Sequence, residues 1–299
     1  MMLAVVIVNW NETNASIRAL QSVHASSPVV SFLVDSDSTD DPSDTVARAC
    51  PDVRIERLPA NLGYAAACNH GVRSAIAAGA ERVLVMNNDA VLAPGALDRM
   101  DQAERERPGS VIAPLIVYAD APDEVWSAGG YLEPPCVRNH HLGLGDTRNN
   151  YRAPRRVEWA TGCALFFATE TYRRVGPFDE AFFLYLEDVD WCLRARDVGV
   201  ATWVVPEAVV MHDVSRSTGE LPSETIRYLA YRNHFRLAFR HTHGWRRSPV
   251  FLELVATLAK IAVRTVAFAD YRHDRWYHAR TRAIRDFMLG RFGPVGDAV

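Results

Sequence analysis

Three acids, Glu187, Asp188 and Asp190, end the apolar run from Phe182 to Leu186. Apolar runs usually lead into a core, so carboxylates at the end of one need a reason. At the mouth of a cleft they serve as a general base or as metal ligands. The bland alternative is a helix N-terminus, where the dipole favours acids, with Asp190 and Arg194 as an i,i+4 pair. Other polar groups follow apolar runs elsewhere: Asn9 and Asn11, Asp35 to Asp40, Asn61 and Gly63, and Asn87, Asn88 and Asp89. His212 also ends an apolar run. Alone, such a histidine is more often structural. With Asp89 it makes an imidazole–carboxylate pair of the kind that holds Mg or Mn on a substrate phosphate.

The elements that must position these groups alternate. Leu3 to Val8 is a β-branched run suited to a strand buried on both faces. A helix is expected over 13–26, a strand over 29–34, a helix over 44–50 and a strand over 53–58. An Ala-rich helix over 65–78 precedes a strand over 82–86. Strand–helix alternation predicts right-handed βαβ units and an α/β fold with a mostly parallel sheet. Ligands bind such sheets beyond the carboxyl ends of the strands. The polar groups before residue 90 all fall there, which predicts a ligand site on that edge.

Further along, a helix is expected over 97–105 and a strand over 111–117, interrupted by Pro114. Residues 122–154 read as a long irregular region of the kind that forms binding loops. Its His140 and His141 have no partner spacing and read as solvated. One strand over 157–167 carries Trp159 and Gly162. A helix over 169–174 and short strands over 201–205 and 208–211 complete this part.

The 299 residues are 48% hydrophobic and 23% charged, an ordinary globular composition. The five cysteines contain no CxxC pair, which argues for reduced, mostly buried thiols over a disulfide framework or zinc site. The first residues read as a strand and not as a leader, and no apolar stretch is long enough to span a membrane. Residues 1–214 carry 18 Lys and Arg against 29 Asp and Glu, whereas 215–299 carry 15 against 7. A basic tail on an acidic body predicts an anionic partner: a phosphate, a membrane surface or the body itself.

The tail predicts a helix over 223–241, rich in arginine and aromatics. Phe251, Leu254, Leu258, Ile261, Thr265 and Phe268 then recur at helical spacing. That stripe, with Arg246, Arg247, Arg272, Arg275, Arg280, Arg282 and Arg285, reads as packing or dimerisation first and as membrane contact second. Nucleic acid is not an expected partner.

The stretches VVIVNWN, VDSDSTD, NLGYAAACNHG, VMNNDAVL, WATGCALFF, VGPFDEAFFLYLEDVDWCLR and VMH occur in order over residues 3 to about 213. Together they resemble inverting family 2 glycosyltransferases of GT-A fold, in the rhamnosyltransferase-like branch. The resemblance implies a GT-A catalytic domain over 1–214, with its nucleotide-binding half over about 1–120 and its acceptor half over about 121–214. A basic helical extension follows over 215–299. It implies transfer of a sugar from a dTDP- or UDP-sugar, dTDP-rhamnose among them, to an acceptor hydroxyl with inversion.

The resemblance further implies nucleotide or donor contacts from Asn9, Asn11, Asp35, Asn61, Gly63, Asn69 and Asn88. Trp159, Gly162 and Cys163 would lie near the sugar. Asp89 and His212 would hold Mg or Mn, and Asp188 would be the base, with Glu187 as the alternative. Arg216 and Arg232 are further candidates to reach the diphosphate. The chain departs from the family in two places. Asn87 and Asn88 precede a single Asp89 where the family carries a second acid, and Ser36 follows Asp35 where Asn is common. The expected partners are a nucleotide-sugar donor and a glycan, lipid-linked or small-molecule acceptor. A cytoplasmic location, or a peripheral one at the inner face of the membrane, is expected, with membrane contact or a homodimer through the tail. The alternatives are a sugar-phosphate nucleotidyltransferase and a non-catalytic nucleotide-sugar-binding protein.

Overall fold

The computed structural model describes residues 2–134, 137–213, 223–267 and 275–294. Cys136, Val214, Arg216, Phe268 and Arg272 lie outside them, as does the side chain of Arg275. Strand β1 (Leu3–Asn9) is buried at every position. It pairs parallel with β2 (Val29–Asp35) and β4 (Arg82–Asn87), and β2 pairs parallel with β3 (Arg54–Arg57). Helices α1 (Thr13–Gln21), α2 (Ser43–Ala49) and α3 (Tyr64–Ala77) make the crossovers. Alternate side chains of β1 enter opposite cores: Ala4, Val6 and Val8 on one face, Leu3, Val5 and Ile7 on the other.

After β5 (Ala90–Leu92) and α4 (Ala96–Glu106) come β6 (Val111–Tyr118), β7 (Val125–Ser127) and the hairpin β8 (Gly130–Glu133) and β9 (Arg138–His141). Then follow β10 (Arg155–Val157), β11 (Ala164–Ala168), α5 (Thr169–Val175), α6 (Glu187–Asp197) and β12 (Thr202–His212). The main sheet runs β10-β12-β6-β11-β4-β1-β2-β3, with β5 on β12 and β7 on β6. The β3-β2-β1-β4 half is parallel as expected. β11 runs antiparallel between β4 and β6, so the other half is mixed. The ends of β1, β2 and β4 lie level, with Asn9 opposite Asp35 and Val8 opposite Asn87.

Several boundaries differ from the sequence reading. Helix α1 stops at Gln21, where the Ser22 hydroxyl bonds back to the carbonyl of Ala19. Pro114 does not interrupt β6. Its partner strand β12 shifts register between Val205 and Val209, so the missing N–H falls at a bulge. The same bulge joins the two short strands expected over 201–211 into one. The strand expected over 157–167 is instead two, because Glu158 to Cys163 leave the sheet to form the site loop. The region 122–154 contains β7 and the β8–β9 hairpin.

The tail forms α7 (Ser223–His241), α8 (Arg247–Ala267) and α9 (Arg275–Met288). Tyr228 and Leu229 of α7 pack on Ala279 and Ala283 of α9. Of α8, only Val250, Leu254 and Ile261 are buried. Phe251 and Leu258 are exposed, so the apolar stripe is only partly covered. Among the described residues no helix is long and apolar enough to cross a membrane. Cys50, Cys68, Cys163 and Cys192 are free thiols, all but Cys50 buried.

Candidate active site

The strand ends bring most of the predicted residues to one edge. Asn9 is buried; its amide donates to Asp35 Oδ1 at 2.7 Å and to Ser38 Oγ at 3.1 Å. The Asn9 Oδ1 accepts from Ser16 Oγ and, at 3.4 Å, from Asn88 Nδ2. Asn11 accepts from the Thr39 amide at 2.8 Å, and its own N–H donates to Ser38 Oγ. This network fixes the 36–40 loop against the end of β1. Asp35 is 0% exposed. Both its oxygens are used within the protein, by Asn9, Ser38 and, at 3.5 Å, Arg57. The exposed face of the loop belongs to Asp37, Thr39 and Asp40.

Asn61 Oδ1 accepts from the Gly63 amide at 3.0 Å. Gly63 has φ +90°, and a Cβ there would lie 2.4 Å from the Phe183 carbonyl. Only glycine fits that approach. Asn69 is buried one helical turn further in. Its amide donates to the Phe178 carbonyl and Glu180, while its oxygen accepts from Tyr172 and the Phe178 amide. Asn69 thus has no group left for a ligand and ties α3 to the turn that precedes the acidic stretch.

At the end of β12, His212 Nε2 lies 3.1 Å from Asp89 Oδ1, and both residues are 4% exposed. Asp89 Oδ2 and His212 Nδ1 are buried without a hydrogen-bond partner. Two orphaned ligand-type atoms fit a cation that takes its remaining ligands from a diphosphate and water. They do not make an all-protein cage: among the described residues no cluster of three His, Cys, Asp or Glu is present. Trp126 covers the His212 ring at 4.6 Å and touches His141 at 4.9 Å. His141 also meets Trp159 edge-on and bonds Ser127 Oγ at 2.9 Å. Burial, then the neighbouring His212, push the His141 imidazole down to about 4. His141 therefore belongs to the site wall and is not solvated, because the β8–β9 hairpin folds it inward. His140 stays near the surface, paired with Glu133.

The acids start α6. Asp188 Oδ2 accepts from the Gly162 amide at 2.6 Å, and Oδ1 from the Val189 amide at 2.7 Å. Gly162 is held from its other side by Tyr64, whose hydroxyl donates to its carbonyl at 2.8 Å. Burial raises the Asp188 carboxyl above its ordinary value, opposed by the two amides. Glu187 is raised further, by burial and then by the charge of Asp188. It is 4% exposed, and its Oε2 has no partner. Asp190 bonds Arg194 as expected, at 2.8 Å. It is fully buried, however, and also meets His241 of α7 at 2.9 Å.

The loop before α6 is held in an unusual shape. Phe183, Tyr185 and Leu186 have φ of +66°, +70° and +71°. Each such non-glycine residue costs of order 1 kcal/mol or more. Arg232 and Asn233 of α7 reach this loop. Arg232, which the sequence offered as a candidate to reach the diphosphate, is buried and spends its guanidinium on the Phe182 and Gly293 carbonyls. Sequence reasoning missed Asn233. Its signal was an Arg–Asn pair on a helix face that otherwise carries Tyr228, Leu229 and Phe235.

Known proteins resemble the chain over most of its length. Residues 2–236 match the family described as "Glycosyltransferase like family 2". The N-acetylglucosaminyl-diphospho-decaprenol L-rhamnosyltransferase of Mycobacterium tuberculosis is 32% identical over 254 residues, covering 78% of this chain and 81% of that protein. The dTDP-rhamnosyl transferase RfbF of Shigella flexneri is 21% identical over 233 residues, covering 75% and 74%. The crystal structure of GalNAc-T7 with UDP, GalNAc and Mn2+ superposes with a TM-score of 0.59 at 15% identity, covering 77% of this chain and 48% of that one. The last likeness bears on the fold, which is GT-A.

Proposed function

The chain belongs to glycosyltransferase family 2 and transfers a sugar from a nucleotide-sugar donor, and we propose that it does so in one inverting displacement with Asp188 as general base. The observation that carries this reading is the Asp188 carboxylate, pinned beside Gly162 on the edge that holds Asp89 and His212. The acceptor hydroxyl gives its proton to Asp188 as its oxygen bonds to the anomeric carbon. The bond from that carbon to the diphosphate breaks, and the electron pair leaves on the nucleoside diphosphate. A carboxylate whose pKa burial has raised is the stronger base once ionised. Glu187 is the poorer candidate, because deeper burial disfavours its charged form more strongly.

Asp89 and His212 would hold a divalent cation, Mg or Mn. When bound, it neutralises the charge that develops on the leaving diphosphate. The 36–40 loop, shaped by Asn9, Asn11 and buried Asp35, forms the nucleoside side, joined by Asn61, Gly63 and Asn88. Trp159 and Gly162 stand on the sugar side.

The donor we favour is dTDP-rhamnose and the acceptor a lipid-linked saccharide, on the strength of the activities in the relatives' names. Residues 1–214 form the catalytic part, and 215–299 the part that brings it to the acceptor. In α8, Leu252, Val263 and Val266 are 63%, 65% and 84% exposed, beside exposed Arg247 and Lys260. An apolar, cationic helix surface suits peripheral contact with an anionic bilayer on its cytoplasmic face. Flotation with phosphatidylglycerol vesicles tests this: Val263→Glu/Val266→Glu should stay at the bottom of the gradient. A mass twice that of one chain, with no vesicle binding, would instead make α8 a dimer surface.

Transfer is tested with dTDP-rhamnose and UDP-sugars, following nucleotide release and the anomeric configuration of the product. A product whose anomeric configuration is opposite to that of the donor supports inversion; retention contradicts it.

A further inference from the structure

One face of α7 grips the whole acidic stretch. Arg236 and Arg240 pair with Asp179, and His241 with Asp190. Between these ends, Asn233 Nδ2 donates to the carbonyls of Phe182, Leu184 and Tyr185 at 2.8–2.9 Å. Arg232 donates to Phe182 at 3.0 Å and Gly293 at 3.1 Å. Both residues are buried, at 0% and 1% exposure. Apart from Gly293, the carbonyls they hold are those of the loop with three left-handed non-glycine residues, which ends two positions before Asp188. Phe183 of that loop packs against Gly63 on the donor side and among Tyr228 and Tyr231 on the other.

We propose that Arg232 and Asn233 are positioning residues for the transfer step: they clamp the 182–186 loop in its left-handed form and so set the Asp188 carboxylate on Gly162. A left-handed loop persists only where its surroundings over-determine it. Here the surroundings are side chains of the tail, which completes the site from outside the sheet. Part of the body's negative charge, at Asp179 and Asp190, is thus answered by the tail's own cations. The Asn233 amide group has two N–H donors shared among three carbonyls, so every bond of the fan depends on one side chain.

The inference rests on Asp188 as base, and the test separates the two. The full chain is assayed for dTDP-rhamnose turnover, with water as the acceptor, and for dTDP binding by calorimetry. Asn233→Ala should lower kcat on the order of 10²-fold, with the dTDP Kd within about twofold of wild type and thermal melting still cooperative. Arg232→Lys keeps the charge but loses the planar fork, and should lower kcat less. Tyr185→Gly added to Asn233→Ala should recover several-fold of the lost rate, because glycine holds φ +70° without help. If Asn233→Ala and Arg232→Lys keep near-wild-type kcat while Asp188→Asn does not, the clamp is overturned and the base stands. If Asp188→Asn keeps its rate, the base reading falls first. Should Asn233→Ala not fold, the graded pair Arg232→Lys and Arg232→Lys/Tyr185→Gly decides, with no recovery by glycine counting against the clamp.

Discussion

His212 and Asp89 meet side chain to side chain at 3.1 Å across the paired ends of β12 and β5, each leaving one ligand-type atom buried and unpartnered. A buried polar atom without a partner is costly unless something else satisfies it. Asp89→Asn and His212→Ala should therefore each weaken Mn2+ binding to the dTDP-loaded protein by about 10-fold or more. Electron paramagnetic resonance of free Mn2+ reads this directly. Unchanged affinity in both variants would remove the pair from the cation site.

Gly162 is the second contact to test. A Cβ at this position would lie 3.3 Å from Asp188 Cβ and 3.5 Å from its Oδ2. Gly162→Ala should push the carboxylate aside by a few tenths of an ångström. The expected result is a kcat loss of roughly 10-fold or more with little change in melting temperature. Equal loss in stability and rate would show that the contact only supports the fold.

Glu187 offers a pH signature. Its pKa in the folded protein lies well above the unfolded value. Between those two values the unfolded chain has lost a proton that the folded chain keeps. Stability therefore falls as pH rises through that window, by up to about 1.4 kcal/mol per pH unit. Glu187→Gln removes the penalty. Its melting temperature should exceed wild type at pH 8, with the gap closing towards pH 4.

Asn69 should behave as scaffold. Losing its four hydrogen bonds leaves the Phe178 carbonyl and amide unpaired, at a cost of about 1–3 kcal/mol. Asn69→Ala should melt lower but bind dTDP with unchanged Kd. A selective loss of dTDP affinity would put Asn69 back on the nucleotide.

What the sequence made legible follows from how local each feature is. The strand ends carrying Asn9, Asp35 and Asp89 could be read, because a parallel half-sheet brings its strand ends to one carboxyl edge. Asp188 could be singled out as the candidate base because its motif is contiguous. Asp35 and Asn69 show the limit: residue type put them in the site, but only three-dimensional partners show that their polar atoms are spent inside the protein. His141 reached the site through a hairpin whose register no periodicity revealed. Asn233 acts on a loop 51 residues away from it in sequence, and nothing local links a helix side chain to the left-handed backbone it holds. The exposed face of α8 shows the converse error, since a helical stripe predicts an apolar face but not whether the fold covers it.

The most direct test of the account is turnover by Asp188→Asn. The substitution keeps the size of the side chain and one oxygen for the Gly162 amide, but removes the base. With dTDP-rhamnose as donor, kcat should fall on the order of 10²–10⁴-fold, while calorimetry gives a dTDP Kd close to that of wild type. A variant that turns over at near the wild-type rate would contradict the assignment of Asp188 as the group that takes the acceptor's proton.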